Sequence, residues 1–380
     1  MEPAATVLFY VQHLLGVGHL RRTLAIAEAC SERGVEVHVA SGGMPLEEAP
    51  SPKYDFHQLP PVRIAGRDFS RLLQADGTPV DDRWRSSRKE QLSQLTQRIR
   101  PRTLVTELYP FGRRQLRFEL LPLLDSARAL RSRVVCSVRD VVQKREIQRE
   151  QETVDILNGY YDEVLVHGDS DFLPLHESFS LTEKIRCSLH YTGLVSTAHQ
   201  GPAGHVEEGE VIVSAGGGAV GTMLYQSAVR AAELDCVRHL KWRILVGSQA
   251  EGGLSDKLSK EAPANVRVES NRPDFQGLLG QARLSVSQAG YNSVVDILVS
   301  GVPALLVPFR GDGSETEQAM RARRLKQMGR ADFIEEGELS PEKLARTVAR
   351  LAGAVPWRLP SRACEGGRMS AELIASWANQ

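Results

Sequence analysis

The residue of this chain best suited to chemistry is His19. It closes the run Gly16-Val-Gly-His19, which follows an apolar, β-prone stretch from Thr6 to Val11. Leu20, Leu24, Ile26 and Ala27 follow at helical spacing, so the run reads as a strand-to-helix turn. Gly16 and Gly18 let a ligand approach bare backbone there. The positive end of a helix dipole disfavours imidazolium, so the ring stays neutral and able to take a proton, from a reference pKa of about 6.5. A base of this kind works best with a carboxylate behind it. Two carboxylates end later β-prone runs: Glu107 after Thr103 to Thr106, and Asp140 after Val134 to Val138. The sequence leaves the choice between them open. In open α/β sheets functional groups gather beyond strand C-termini, which adds Arg113, Arg114 and Arg139 as cationic candidates.

Two further stretches suit an anion. Val211-Ile-Val-Ser-Ala-Gly-Gly-Gly-Ala-Val-Gly221 is a strand followed by a glycine-rich loop, with a helix through Leu234. Gly216, Gly218 and Gly221 satisfy G-x-G-x-x-G, so an NAD-dependent enzyme or a noncatalytic nucleotide module is a formal rival. That motif wants an acidic residue at the end of the next strand, and Trp242 to Val246 ends in Gly247-Ser248-Gln249 instead. Gly216, Gly217, Gly218 and Gly221 read better as a backbone cradle for a diphosphate. Further on, Leu284 to Ser287 is β-prone and Gly290 breaks it. Val294, Val295, Ile297 and Leu298 form a helix face, Gly301 ends the helix, and Pro303 leads into a strand, Ala304 to Val307. The helix start at Ala289, Gly290, Tyr291, Asn292 and Ser293 offers free N–H groups to an anion. Asp296 lies six residues beyond Gly290.

These motifs resemble the nucleotide-sugar half of GT-B glycosyltransferases of family 28. In that family a carboxylate six residues after the turn glycine binds the ribose, and Gly-Leu-Pro leads into the last core strand. Gly290, Asp296, Gly301 and Pro303 match. The resemblance implies that Gly216 to Gly221 and Ala289 to Ser293 hold the donor diphosphate. It implies Arg272, Phe275 and Asp296 at the nucleoside, and Glu317 and Gln318 at the donor sugar. The Gly-x-Gly-His turn resembles the family's first loop, and also that of the UDP-sugar hydrolase of pseudaminic acid synthesis, where Arg follows as Arg21 and Arg22 do here. His19 is then the base, Glu107 or Asp140 its partner. Gly16, Gly18, Arg113, Arg114 and Arg139 fall on the acceptor side. The sequence departs from the pattern where the helix-opening Ser-Gly has become Ala-Gly-Tyr-Asn. The apolar patch that docks a lipid-linked acceptor is not evident.

The implied fold class is α/β, two Rossmann-like domains facing across a cleft, with a C-terminal helix returning to the first. Residues 1–196 would bind the acceptor and carry the catalytic His, 197–209 would link, 210–355 would bind the donor, and 356–380 would cross back, with a break at Pro356, Pro360 and Gly366-Gly367 before a terminal helix, Ser370 to Trp377. Within the first domain, Met44 to Asp82 reads as one strand, Asp55 to Leu59, and a long loop. The implied reaction is inverting, metal-independent transfer from a nucleoside diphosphate sugar, UDP-linked by preference, to an acceptor hydroxyl. The alternative is a hydrolase of the same fold using water. The expected partners are the donor and an unidentified acceptor, with no further cofactor.

Composition bounds these readings. The chain has 380 residues, 42% of them hydrophobic and 25% charged, enough for two α/β domains. The formal net charge is zero, so no global field argues for nucleic acid. Five scattered cysteines without a CxxC pair suggest reduced thiols in a cytoplasm and no zinc site. No apolar run is long enough to span a bilayer, and Glu2 without a basic n-region is unlike a signal peptide. Asp169-Ser-Asp171 mimics a metal-binding DxD and reads instead as turn chemistry. Between Arg83 and Arg149 there are 17 basic and 6 acidic residues. Solvated helix faces are the favoured reading of that surplus, and peripheral contact with anionic lipid the competing one.

Overall fold

The computed structural model describes residues 5–14, 16–46, 51–65, 68–196, 209–216, 220–247, 250–270, 272, 274–311, 315–355 and 364–380. The chain forms two compact units, Met1–Val195 with Glu365–Gln380, and Ser196–Cys364. Residues 197–208 and 356–363, which hold most of the expected linker and crossing, lie outside the described residues.

In the first unit the elements are β1 (Thr6–Val11), α1 (Gly18–Ser31), β2 (Glu36–Ser41), β3 (Asp55–Gln58), β4 (Val62–Ala65), β5 (Asp68–Gln74), α2 (Asp82–Ile99), β6 (Thr103–Glu107), α3 (Arg117–Ala129), β7 (Arg133–Arg139), α4 (Ile147–Tyr160), β8 (Glu163–His167) and β9 (Ser188–Tyr191). Seven strands make a sheet in the order β3-β2-β1-β6-β7-β8-β9, every neighbour parallel. Such a sheet is buried on both faces, so its strands read as continuous apolar runs. β1 shows how the two faces divide. Val7, Phe9 and Val11 pack with Leu20 and Ile26 of α1 and with Ala371 and Ile374 from the end of the chain. Leu8 and Tyr10 point the other way, toward Leu92, Leu120 and Leu157.

The second unit holds β10 (Val211–Ser214), α5 (Thr222–Ala231), β11 (Trp242–Val246), α6 (Leu254–Glu261), β12 (Val266–Ser270), α7 (Phe275–Gln281), β13 (Leu284–Ser287), α8 (Tyr291–Ser300), β14 (Ala304–Leu306), α9 (Glu317–Gln327), β15 (Asp332–Phe333) and α10 (Pro341–Leu351). Its six strands run β12-β11-β10-β13-β14-β15, again all parallel. The last helix, α11 (Gly366–Ala378), belongs to the first unit. Strand order reverses between β1 and β6 in one sheet and between β10 and β13 in the other. A crevice opens beyond the strand ends at each reversal, which is where such sheets bind ligands.

Three expectations need correction. The stretch from Met44 to Asp82 is not mainly loop: β4 and β5 form an antiparallel hairpin. Val62, Ile64 and Leu72 of that hairpin are buried in the core. α3 and α4 were not anticipated, although both carry apolar positions at helical spacing. Gly366 does not break the chain but begins α11. It is packed so closely that a Cβ would stand 2.3 Å from the Gly193 carbonyl oxygen.

Beneath the end of β1 lies a buried ion pair. Arg88 donates through Nε and Nη2 to Glu119 at 2.7 and 2.9 Å. It also donates to Gln12 Oε1 at 2.6 Å and to the carbonyls of Pro60 and Gly42 at 2.6 and 3.1 Å. Removing one member of such a pair strands the other charge in the core. Arg88→Leu is expected to cost about 3–5 kcal/mol in urea unfolding, and the double variant Arg88→Leu/Glu119→Leu to recover part of that loss.

Candidate functional site

His19 stands in the first turn of α1, whose N-cap Val17 gives no side-chain cap. Its Nδ1 lies 2.9 Å from Glu107 Oε1, at the end of β6, the strand beside β1. Arg22 Nη2 also approaches Nδ1, at 3.2 Å, but the ionised carboxylate is nearer and only accepts, so Nδ1 carries the proton and Nε2 keeps its lone pair. Nε2 has no hydrogen-bond partner among the described residues. Arg22, one turn along α1, reaches the same Oε1. Glu107 Oε2 accepts from Ser137 Oγ at 2.6 Å. The His19 side chain keeps 14% of its surface exposed, while Glu107 keeps 1%. The base is thus open at one edge and its carboxylate is sealed beneath it.

Electrostatics follow from this burial. Burial lowers the His19 pKa to about 3; the hydrogen bond to Glu107 opposes that shift, and Arg113 and Arg22 add to it. Burial alone would raise Glu107, but Arg22 and then His19 outweigh it and hold the carboxyl well below the usual carboxylate range. His167 is likewise lowered to about 3 by burial, then by Arg22, with Glu107 opposing.

Of the two carboxylates left open by the sequence, Glu107 holds His19. Asp140 is buried and accepts from the Val141 N–H at 2.8 Å. Arg113 adopts the left-handed region (φ 63) and donates through Nε to the Gln12 carbonyl at 2.7 Å, which keeps it beside the crevice. Burial lowers it to about 10, with Glu107 opposing, so it stays charged. Arg114 is drawn into a surface pair with Glu152 at 2.6 Å. Arg139 ends β7, in register with His167. Gly16 and Gly18 flank the turn into α1, Gly16 with φ 58. Asp169 Oδ1 accepts from the Asp171 N–H at 2.8 Å, the turn chemistry expected of that pair. The basic surplus is partly internal: Arg88 is buried, and Arg128 and Arg133 pair with Asp162 and Glu163.

In the second unit the ends of β10 and β13 lie side by side, Ser214 opposite Ser287. Gly216 leads out of β10 with φ 73, and a Cβ on it would come within 3.7 Å of Ser293 Oγ. Gly216 is thereby brought to the start of α8. α8 has Gly290 as N-cap, no side-chain cap and no acid in its first turn, and α5 repeats this with Gly221. At Gly221 (φ 133) a Cβ would stand 2.3 Å from that of Ala215, so glycine is required. Two uncapped helix starts, with Tyr291, Asn292 and Ser293 opening one, leave N–H groups and positive dipole ends for an anion. Gly217 and Gly218 lie outside the described residues.

The remaining donor-side residues are more committed than the sequence suggested. Gln318 Oε1 accepts from the N–H groups of Ala289 and Phe309, each at 3.0 Å. That fixes the amide and leaves Nε2 to face outward. Glu317 is buried and lies 3.5 Å from Arg321, whose guanidinium sits over the Tyr291 ring. Asp296 accepts from Gln276 Nε2 at 2.7 Å. Arg272 is held by Asp274 at 2.8 and 2.7 Å. Phe275 opens α7 half-buried. Ser137 and His167 were missed as site residues; the adjacency of β6, β7 and β8 is what gathers them, while Arg22, read from the sequence only as the basic extension of the turn, reaches Glu107 from α1. Among the described residues no group of three or more His, Cys, Asp or Glu is placed to hold a metal ion. No helix there is long and apolar enough to cross a membrane.

Two doubly wound parallel sheets, with a helix from the chain's end returned to the first, define the GT-B fold of glycosyltransferases. The calicheamicin glycosyltransferase CalG4 shares it at a TM-score of 0.62 and 16% identity, over 100% of this chain and 96% of that one. MurG of Acinetobacter baumannii does so at 0.57 and 16%, over 99% of each chain. More particularly, residues 212–355 match the glycosyltransferase family 28 C-terminal domain. In sequence the chain is 31% identical over 152 residues to the UDP-N-acetylglucosamine–N-acetylmuramyl-(pentapeptide) pyrophosphoryl-undecaprenol N-acetylglucosamine transferase of Brucella anthropi. The match spans 39% of this chain and 40% of that relative.

The two histidines lowered furthest, His19 and His167, set an acid limit. Between about 3 in the folded chain and about 6.5 unfolded, the unfolded chain binds more protons, so stability falls as pH drops through that window. His167→Gln is expected to flatten the fall by up to about 1.4 kcal/mol per pH unit, measured by urea unfolding at pH 7, 6 and 5.

Proposed function

We propose that this chain transfers a sugar from a nucleoside diphosphate sugar, UDP-linked, to an acceptor hydroxyl with inversion and without a metal. The observation that carries the reading is His19, held in its Nδ1–H form by Glu107 with Nε2 open. The acceptor oxygen attacks the anomeric carbon, and the bond from that carbon to the diphosphate breaks. The acceptor's proton passes to His19 Nε2. A hydroxyl becomes strongly acidic as its new C–O bond forms, so even a weakly basic imidazole suffices. The departing diphosphate gains charge that the uncapped starts of α5 and α8 are suited to stabilise. The outward Nε2 of Gln318 is a donor for a sugar hydroxyl, and Asp296 with Gln276 is suited to the ribose. UDP-N-acetylglucosamine, named for the Brucella relative, is the first donor to try.

Thermal scanning with UDP, dTDP, GDP and NAD tests the nucleotide: a ligand at a hundred times its dissociation constant stabilises by about 2.7 kcal/mol, and UDP is expected to lead. A panel of UDP-sugars, read by UDP release in EDTA with and without cell extract, tests the reaction. Release that depends on extract is expected. Stoichiometric free sugar at full turnover speed without extract would make the protein a hydrolase. His19→Ala is expected to retain the UDP shift and lose about 10²–10⁴ in turnover.

A further inference from the structure

Glu107 is held from two sides, and the side away from His19 continues. Ser137 faces Glu107 across β6 and β7. His167, partnered with Arg139, is the next polar side chain on the adjoining strand, with its Nε2 2.8 Å from Ser137 Oγ. Its Nδ1 lies 2.9 Å from Thr192 Oγ1 and 3.4 Å from Ser370 Oγ. Ser137, His167, Thr192 and Ser370 are all buried.

One end fixes the direction of every bond. The ionised Glu107 only accepts, so Ser137 spends its single proton on Oε2 at 2.6 Å. The Ser137 oxygen must then accept from His167, which places the His167 proton on Nε2. Nδ1 is left as an acceptor. Ser370 gives its proton to the Gly366 carbonyl at 2.6 Å; the Thr192 hydroxyl lies nearer to Nδ1, at 2.9 Å, than to the carbonyls of Gly193 and Val166, at 3.3 and 3.5 Å, so Thr192 is the donor to Nδ1. Burying so many polar groups is costly unless each is satisfied, and here the satisfied set ends on the carboxylate that orients His19.

We propose that Ser137 and His167 are positioning residues for sugar transfer: the chain Thr192→His167→Ser137→Glu107 clamps one carboxylate oxygen so that the other keeps His19 in its Nδ1–H form. The proposal rests on the transfer reading of His19 for its kinetic consequence, not for its tautomers. Without Ser137, Oε2 loses its donor and the carboxylate is free to turn, so the imidazole loses its fixed proton.

Full-length protein labelled with ¹⁵N-histidine decides this by long-range ¹H–¹⁵N correlation, which reports the protonated ring nitrogen. His167 is expected as Nε2–H and His19 as Nδ1–H. In Ser137→Ala, His19 should become a mixture of tautomers. Its kcat should fall about 10-fold, the lower end of what orienting partners cost, with donor KM unchanged, and Ser137→Thr should restore both. A His167 proton on Nδ1 overturns the proposal, and so does a Ser137→Ala protein with wild-type His19 tautomer and kcat. If the wild-type protein turns over no donor, the transfer reading fails while the spectrum still decides the chain.

Discussion

A carboxylate buried at the end of a parallel strand stays ionised only if donors surround it. Glu107 is the case on which the first unit depends. Its side chain is 1% exposed, in a setting where an unpaired charge would cost several kcal/mol. Arg22 and His19 from α1 satisfy one oxygen and Ser137 from β7 the other. The same contacts that make its burial tolerable fix the rotation of α1 against the sheet and the tautomer of the imidazole. Structure and chemistry share one constraint here: the protein cannot hold Glu107 without also presenting His19 Nε2 outward.

The second unit handles charge differently. Its crevice has no comparable cluster of ionisable side chains among the described residues; it presents backbone N–H groups at the starts of α5 and α8. Charged side chains near it are largely spent on each other: Arg272 on Asp274, Arg321 on Glu317. Dipoles fixed by secondary structure need no reorganisation as charge develops. Gln318 contributes by geometry, since its oxygen ties the turn after β13 to the loop after β14 and so sets where α8 begins.

Much of this was legible in the sequence, for definite reasons. Parallel strands buried on both faces announce themselves as apolar runs; Gly16, Gly18, Gly216 and Gly290 mark where strands give way to helices, and Gly301 where a helix gives way to a strand. His19 was visible because a histidine at a helix start is an unusual neighbour for two glycines. The choice between Glu107 and Asp140 was not legible, because both end strands and only sheet order says which strand adjoins β1. Ser137 and His167 were hidden for the same reason: nothing in their local sequence distinguishes them from ordinary core residues until register brings them together. The β4–β5 hairpin was masked by the Pro, Gly and charge around it, although Val62 and Ile64 alternate as a strand should. Gly366 was misread because a glycine needed for close packing looks the same in sequence as one that ends a helix.

The return of α11 to the first unit has a consequence for how the protein is made. Ala371, Ile374, Ala375 and Ala378 complete the apolar layer that covers Val7, Phe9 and Val11, yet a ribosome delivers them only after the whole second unit. Nascent β1 and α1 therefore wait with one flank uncovered while the later unit, contiguous from Ser196 to Cys364, can already close its own core. Order of synthesis and order of completion are reversed, and a chain stalled or clipped short of Gly366 would carry a finished second half attached to a first half with its inner wall open.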